Sequence, residues 1–162
     1  MRGISSLAVT CLVMLASLAA VEGSSRGWIS FPGTKWCGPG TRAEHENDLG
    51  KAVEVDRCCR EHDLCPEKIL KGTTRHGLSN KGKFTISHCD CDKAFYECLK
   101  KASGKSARVV GYTFFTLWNP PCFKKDFPTR CVEYSVSGRR CVKTKHDNTK
   151  PKTWQWFSNG TW

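Results

Sequence analysis

The sequence predicts a small, mainly α domain with a small β hairpin, rich in disulfides and exported from the cell. Three observations carry this: an apolar leader, ten cysteines beyond it, and helical spacing confined to cysteine-flanked segments ahead of a short alternating region. The leader begins with the single basic residue Arg2, runs apolar from Leu7 to Val21 and ends among small residues at Ala19, Ala20 and Gly23, the pattern of a secretory signal peptide. A membrane anchor is the alternative, but the run is only about fifteen residues against the roughly 20 that span a bilayer. Residues 1–23 are therefore assigned to the signal; the alternative is a short trimmed pro-segment, Ser24-Ser25-Arg26, that would make Gly27 the first mature residue. Residues 24–162 form one domain, long enough to bury a core.

Of the eleven cysteines, Cys11 lies in the leader, which leaves an even number for an oxidising compartment and predicts five disulfides. Zinc is excluded by spacing: Cys89-Asp90-Cys91 and the neighbours Cys58-Cys59 lack the spacer of structural zinc knuckles. The chain carries a formal charge of +11, and losing Arg2 and Glu22 with the leader leaves that unchanged. Such a surface favours anionic partners, namely nucleic acid, sulfated glycans or anionic lipid. Export and the absence of any nucleic-acid-binding motif argue against the first; a basic face that serves only solubility is the plain alternative.

From Trp28 to Gly40, Pro32-Gly33 and Pro39-Gly40 mark turns and predict an ordered loop. Helical spacing begins near Leu49 and is clearest from Val55 to Leu70, through Val55, Cys58, Cys59, His62, Cys65 and Ile69, with Pro66 bending or breaking it. Lys71 to Lys83 reads as a glycine-bearing surface loop, and a second helix runs from about Asp90 to Ala102, stopped by Ser103-Gly104. Val109 to Trp118 fits helix better than strand. Beyond Pro120-Pro121, the alternation of Val132, Tyr134 and Val136, the Ser137-Gly138 turn, and the aromatic Thr153 to Phe157 predict a small β appendage that Cys131 and Cys141 flank.

The candidate chemistry sits at Cys58-Cys59-Arg60-Glu61-His62-Asp63-Leu64-Cys65. On a helix, adjacent residues project about 100° apart, so His62 and Asp63 have different jobs. Disulfides from the flanking cysteines would pin the imidazole, and Asp92, near the start of the second helix, could accept a proton from one ring nitrogen. The other nitrogen is then a base, with an unperturbed imidazole pKa of about 6.5. No serine stands in a nucleophile-elbow motif and the cysteines are committed, so water is the expected nucleophile. Its attack on an ester needs charge stabilisation, for which a hard cation held by Asp63 and the carbonyls of Trp36-Cys37-Gly38-Pro39-Gly40 would serve. A lone His-Asp pair is ordinarily surface; the two cysteine-tied helices and the glycine-rich loop together make it a site.

These residues resemble the secreted phospholipases A2, specifically the bee-venom-like branch. The match runs from Phe31-Pro32-Gly33-Thr34-Lys35-Trp36-Cys37-Gly38 through Cys58-Cys59-Arg60-Glu61-His62-Asp63, His76-Gly77-Leu78 and Cys89-Asp90-Cys91-Asp92 to Lys150-Pro151-Lys152 and Gln155-Trp156-Phe157. The resemblance implies Ca2+ held by the main-chain oxygens of Trp36, Gly38 and Gly40 and the carboxylate of Asp63. It implies His62 as general base oriented by Asp92, the Gly38 amide beside the oxyanion, and hydrolysis of the sn-2 ester of glycerophospholipids to a free fatty acid and a lysophospholipid. It also implies the pairings Cys37 to Cys59, Cys58 to Cys98, Cys65 to Cys91, Cys89 to Cys122 and Cys131 to Cys141.

One departure stands out. Where the family often has a tyrosine supporting the catalytic carboxylate, the aligned residue is Phe114; either Tyr112 substitutes or Asp92 is less well held. The expected partner is a phospholipid membrane surface, met by Trp28, Ile29 and Phe31 with Lys35 at the rim, although these aromatics could equally cover the core. Asn159-Gly160-Thr161 is a glycosylation sequon, and Arg139-Arg140 is a processing site or plain surface charge. The rival functions are a catalytically weak toxin or receptor ligand on the same scaffold, and a basic lipid- or glycan-binding module without chemistry.

Overall fold

A computed structural model describes residues 30–138 and 141–162. The expected signal peptide, the pro-segment, Trp28, Ile29 and Arg139-Arg140 lie outside the described residues. Helix α1 spans Val53–Asp63, α2 Cys89–Lys101 and α3 Lys105–Tyr112, the last continuing as a π-helical segment over Thr113–Trp118. Short strands β1 (Lys68–Ile69), β2 (Thr74–Arg75), β3 (Leu78–Ser79) and β4 (Ile86–Ser87) lie between α1 and α2. Four longer ones follow: β5 (Pro121–Asp126), β6 (Thr129–Tyr134), β7 (Cys141–His146) and β8 (Thr153–Ser158).

Helix α1 stops short of the span that periodicity suggests. Proline disfavours helical backbone at the residue before it and has no N–H to donate, so Pro66 ends helical propagation near Cys65. The chain then turns into β1, which pairs with β4, and Asp63 becomes the last helical residue. Helix α2 starts cleanly: the His88 side chain accepts from the Asp90 N–H at 3.2 Å. Asp90 and Asp92 occupy its positive end, and Lys100 and Lys101 its negative end.

Among the described residues four two-stranded antiparallel pairs form, so strand is more abundant than one minor hairpin. The pair that spacing missed is β5 with β8, in register from Pro121 opposite Ser158 to Asp126 opposite Thr153. Its partners are 37 residues apart in sequence at one end of the ladder (Pro121 and Ser158) and 27 at the other (Asp126 and Thr153), which local pattern does not reveal. Strands β6 and β7 make the expected hairpin; it is mostly exposed on both faces, and Cys131–Cys141 crosses it.

The disulfides Cys37–Cys59, Cys58–Cys98, Cys65–Cys91 and Cys89–Cys122 join the 31–40 loop, both long helices and β5. Cys58 and Cys59 leave α1 about 100° apart, which lets one reach the loop and the other α2. Around these bridges Trp36, Val55, Phe95, Leu99, Val110 and Phe115 form the main core, and Ile69, Ile86 and Phe123 a smaller one.

Candidate active site

Asp56 anchors the 31–40 loop. It is fully buried on α1, and its carboxylate accepts the backbone N–H of Trp36 at 2.8 Å, of Lys35 at 3.0 Å and of Gly50 at 2.7 Å. Gly50 lies so close to the Gly33 carbonyl that a Cβ there would meet the oxygen at 2.3 Å. The loop is thus held by a buried anion at one point and by Cys37–Cys59 at another. Gly40, at φ 107°, supplies a turn that a side chain would strain.

The loop walls a cavity of about 610 Å³ lined by Trp36, Gly38, Gly40, His62 and Asp63 together with Phe31, Phe95, Val110 and Phe114. His62 stands in the last turn of α1, packed flat on Phe95 at 4.6 Å and against the edge of Phe114 at 5.1 Å. Its Nε2 is 2.7 Å from Asp92 Oδ1. Asp92 is 1% exposed, so it needs partners for both oxygens, and its Oδ2 accepts from Asn159 Nδ2. With Nε2–H donating to a carboxylate, Nδ1 is the deprotonated nitrogen and the basic one.

Asp63 differs from both. Among the described residues its carboxylate takes no hydrogen bond or ion pair, and burial pushes its pKa up to about 6, although His62 and Lys68 pull the other way. A desolvated carboxyl without a partner, beside a glycine-bearing loop, fits a hard cation, which would supply the missing positive charge. No cluster of three or more His, Cys, Asp or Glu side chains suited to a metal occurs among the described residues. Other ligands would therefore be main-chain oxygens. The Gly38 carbonyl already accepts from the Gly40 N–H at 2.9 Å and keeps its second lone pair. Lys68 Nζ donates to the Asp63 carbonyl at 2.5 Å, beside the same cavity.

A model of the phospholipase A2 family matches residues 30–126. The chain belongs to the phospholipase A2 family. It is 44% identical over 129 residues to a phospholipase A2 of the carpenter bee Xylocopa appendiculata circumvolans, covering 80% of this chain and 71% of that protein. Identity to a phospholipase A2 of Apis mellifera is 41% over 131 residues, covering 80% and 77%. An acidic phospholipase A2 of the lizard Heloderma suspectum is 37% identical over 119 residues, covering 74% and 83%. The chain is accordingly an esterase enzyme with a bee-venom-like sequence.

Several residues of this enzyme were not singled out as part of the site by pattern. Asp56 looks like an ordinary helix-start acid, and only its burial exposes its role. The cavity mouth includes Leu70, Phe84 and Trp118 with Lys71 and Lys83, and the Phe84 and Trp118 rings stack at 5.2 Å. These come from three separate segments. Phe31 lines the cavity, whereas Lys35 is drawn aside to Asp48. Tyr112 is half-exposed and makes no hydrogen bond to Asp92.

Proposed function

We propose that the mature chain, residues 24–162 after loss of a signal peptide, is a secreted, calcium-dependent phospholipase A2. It would hydrolyse the sn-2 ester of glycerophospholipids at a membrane surface. One observation carries the reading: His62, backed by Asp92, and the unpartnered Asp63 carboxylate face one largely apolar cavity under the 36–40 loop.

His62 Nδ1 takes the proton from a water molecule, the hydroxide forms its bond to the ester carbonyl carbon, and the imidazolium later returns the proton to the leaving alkoxide. Asp92 holds the ring in the tautomer that leaves Nδ1 basic and stabilises the imidazolium as it forms. The stacking of His62 on Phe95 restricts the ring plane, and the apolar walls suit acyl chains. Trp36, Gly38 and Gly40 main-chain oxygens with Asp63 would hold calcium, which supplies a Lewis acid for the ester oxygen and a counter-charge for phosphate. The Gly38 N–H is the proposed second oxyanion donor. At the membrane, Leu70, Phe84 and Trp118 are exposed apolar contacts, with Lys71 and Lys83 for anionic headgroups.

A catalytically weak toxin on the same scaffold is not favoured, because a pure binder has no use for the complete set of His62, Asp92, Asp63 and the loop glycines. The test is acyl-chain release from vesicles labelled separately at sn-1 and sn-2, with millimolar calcium or chelator. Release of the sn-2 chain that needs calcium is expected; sn-1 release, or release indifferent to chelator, would overturn the proposal.

A further inference from the structure

Asp92 sits between two cavities, with His62 on one side and, on the other, a second cavity lined by Asn159. Its Oδ1 is taken by His62, and its Oδ2 receives Asn159 Nδ2 at 2.5 Å. The second hydrogen of the same amide goes to the Pro120 carbonyl at 3.0 Å. Both neighbours are acceptors, which requires the nitrogen, not the oxygen, of Asn159 to face them. The β5–β8 register sets this geometry: Pro121 lies opposite Ser158, so the residues just outside the ladder, Pro120 and Asn159, meet beside the start of α2. Phe114 has no hydroxyl to offer and Tyr112 makes no hydrogen bond to Asp92, so among the described residues Asn159 and His62 are the side chains bonded to this carboxylate.

We infer that Asn159 is a positioning residue for the catalytic pair, fixing the Asp92 carboxylate and through it the His62 ring, and that its amide is unmodified in the active enzyme. The second half follows from hydrogen count. An amide carrying a glycan keeps one hydrogen, and here both are used. The sequon Asn159-Gly160-Thr161 and the carboxylate bond therefore exclude one another.

This inference rests on His62 being the general base, so His62→Gln is measured in parallel. The protein is secreted from glycosylating eukaryotic cells as wild type, Asn159→Ala, Asn159→Asp and Thr161→Ala, and assayed with phospholipid vesicles. Hydrogen-bonding groups that orient metal ligands from behind typically contribute about 10–100-fold, and the lower end of that scale is taken for this catalytic pair. We expect Asn159→Ala to lower kcat about 10-fold with KM within about twofold of wild type. Asn159→Asp keeps the shape but turns an acceptor toward Asp92, so it should lose more than Ala; a merely structural role would rank the isostere milder. Thr161→Ala, which deletes the sequon and keeps the amide, should retain wild-type kcat. Peptide mass spectrometry should find Asn159 bare in the active protein. Wild-type kcat in Asn159→Asp, or a glycan on Asn159 in fully active enzyme, would overturn the inference; so would wild-type kcat in a folded Asn159→Ala. If His62→Gln itself keeps full activity, the general-base reading fails instead, and the outcomes stay distinguishable.

Discussion

Replacing Asp56 by alanine should loosen the loop that walls the cavity holding His62 and Asp63, and the cost can be worked from its contacts. The carboxylate is fully buried and accepts three main-chain N–H groups, from Lys35, Trp36 and Gly50. Each buried donor left without an acceptor costs about 1–3 kcal/mol. Trp36 is buried, while Lys35 and Gly50 are half-buried and recover part of their hydration. The sum is about 4 kcal/mol, a large share of the roughly 5–15 kcal/mol that holds a domain folded. At about 2–4 °C per kcal/mol for a domain of this size, Tm should fall by about 10 °C. Asp56→Asn keeps one acceptor oxygen but sets an NH2 against N–H donors, so it should recover only part of the loss. The assay is reversible urea unfolding with disulfides intact, alongside calcium titration of the folded variant. The loop would hold calcium through its carbonyls, so affinity should weaken even where Cys37–Cys59 keeps the chain tethered. A destabilisation under about 1 kcal/mol would refute the reasoning, because it would mean that water or the disulfide already satisfies these donors.

Three further outcomes follow from the site and from the hairpin. Asp63 has a pKa raised from 3.8 to about 6, so the folded calcium-free enzyme binds more protons than the unfolded chain across that window. Its contribution to stability is complete below 3.8 and is lost as pH rises through 6. Asp63→Asn should therefore make the calcium-free protein more stable at pH 8 by about 1–3 kcal/mol while abolishing stabilisation by calcium; thermal melts with chelator and with calcium check both. In the wild type, protons should compete with calcium below pH about 6, measured by calorimetric titration at several pH values. Removing Cys131–Cys141 by a double serine substitution should melt the exposed β6–β7 hairpin at a cost of about 2–3 kcal/mol locally. Because neither strand lines the proposed catalytic cavity, hydrolysis of a monomeric substrate should persist within about twofold; hydrogen exchange and kinetics together test this.

What could be read in the chain depended on how local each feature is. Periodicity found α1, α2 and the helical Val109–Trp118 region because each buries one face over successive turns. It overran the end of α1 because Ile69 keeps the three- and four-residue spacing while actually serving β1 in the second core. The β5–β8 pair joins distant segments and carries no local turn signal, and with it went the placement of Asn159 beside Asp92. His62 and Asp92 were selected from their cysteine-tied settings and lie 2.7 Å apart. Asp56 stayed invisible: an acid in the first turn of a helix is ordinary, and only tertiary burial turns it into an anchor. The apolar and basic mouth from Leu70, Lys71, Lys83, Phe84 and Trp118 is likewise assembled from separated pieces.

The central claim, that His62 activates water for attack on the ester, is tested most directly by hydrolysis in 18O-enriched water with wild type and His62→Gln at saturating calcium. General-base catalysis contributes about 10²–10⁴-fold, so kcat should fall by at least about two orders of magnitude in a variant that still folds and binds calcium. In wild type, one 18O should enter the fatty acid and none the lysophospholipid, because water attacks the carbonyl carbon and the acyl C–O bond breaks. Undiminished turnover in His62→Gln, or label in the lysophospholipid, would contradict the account.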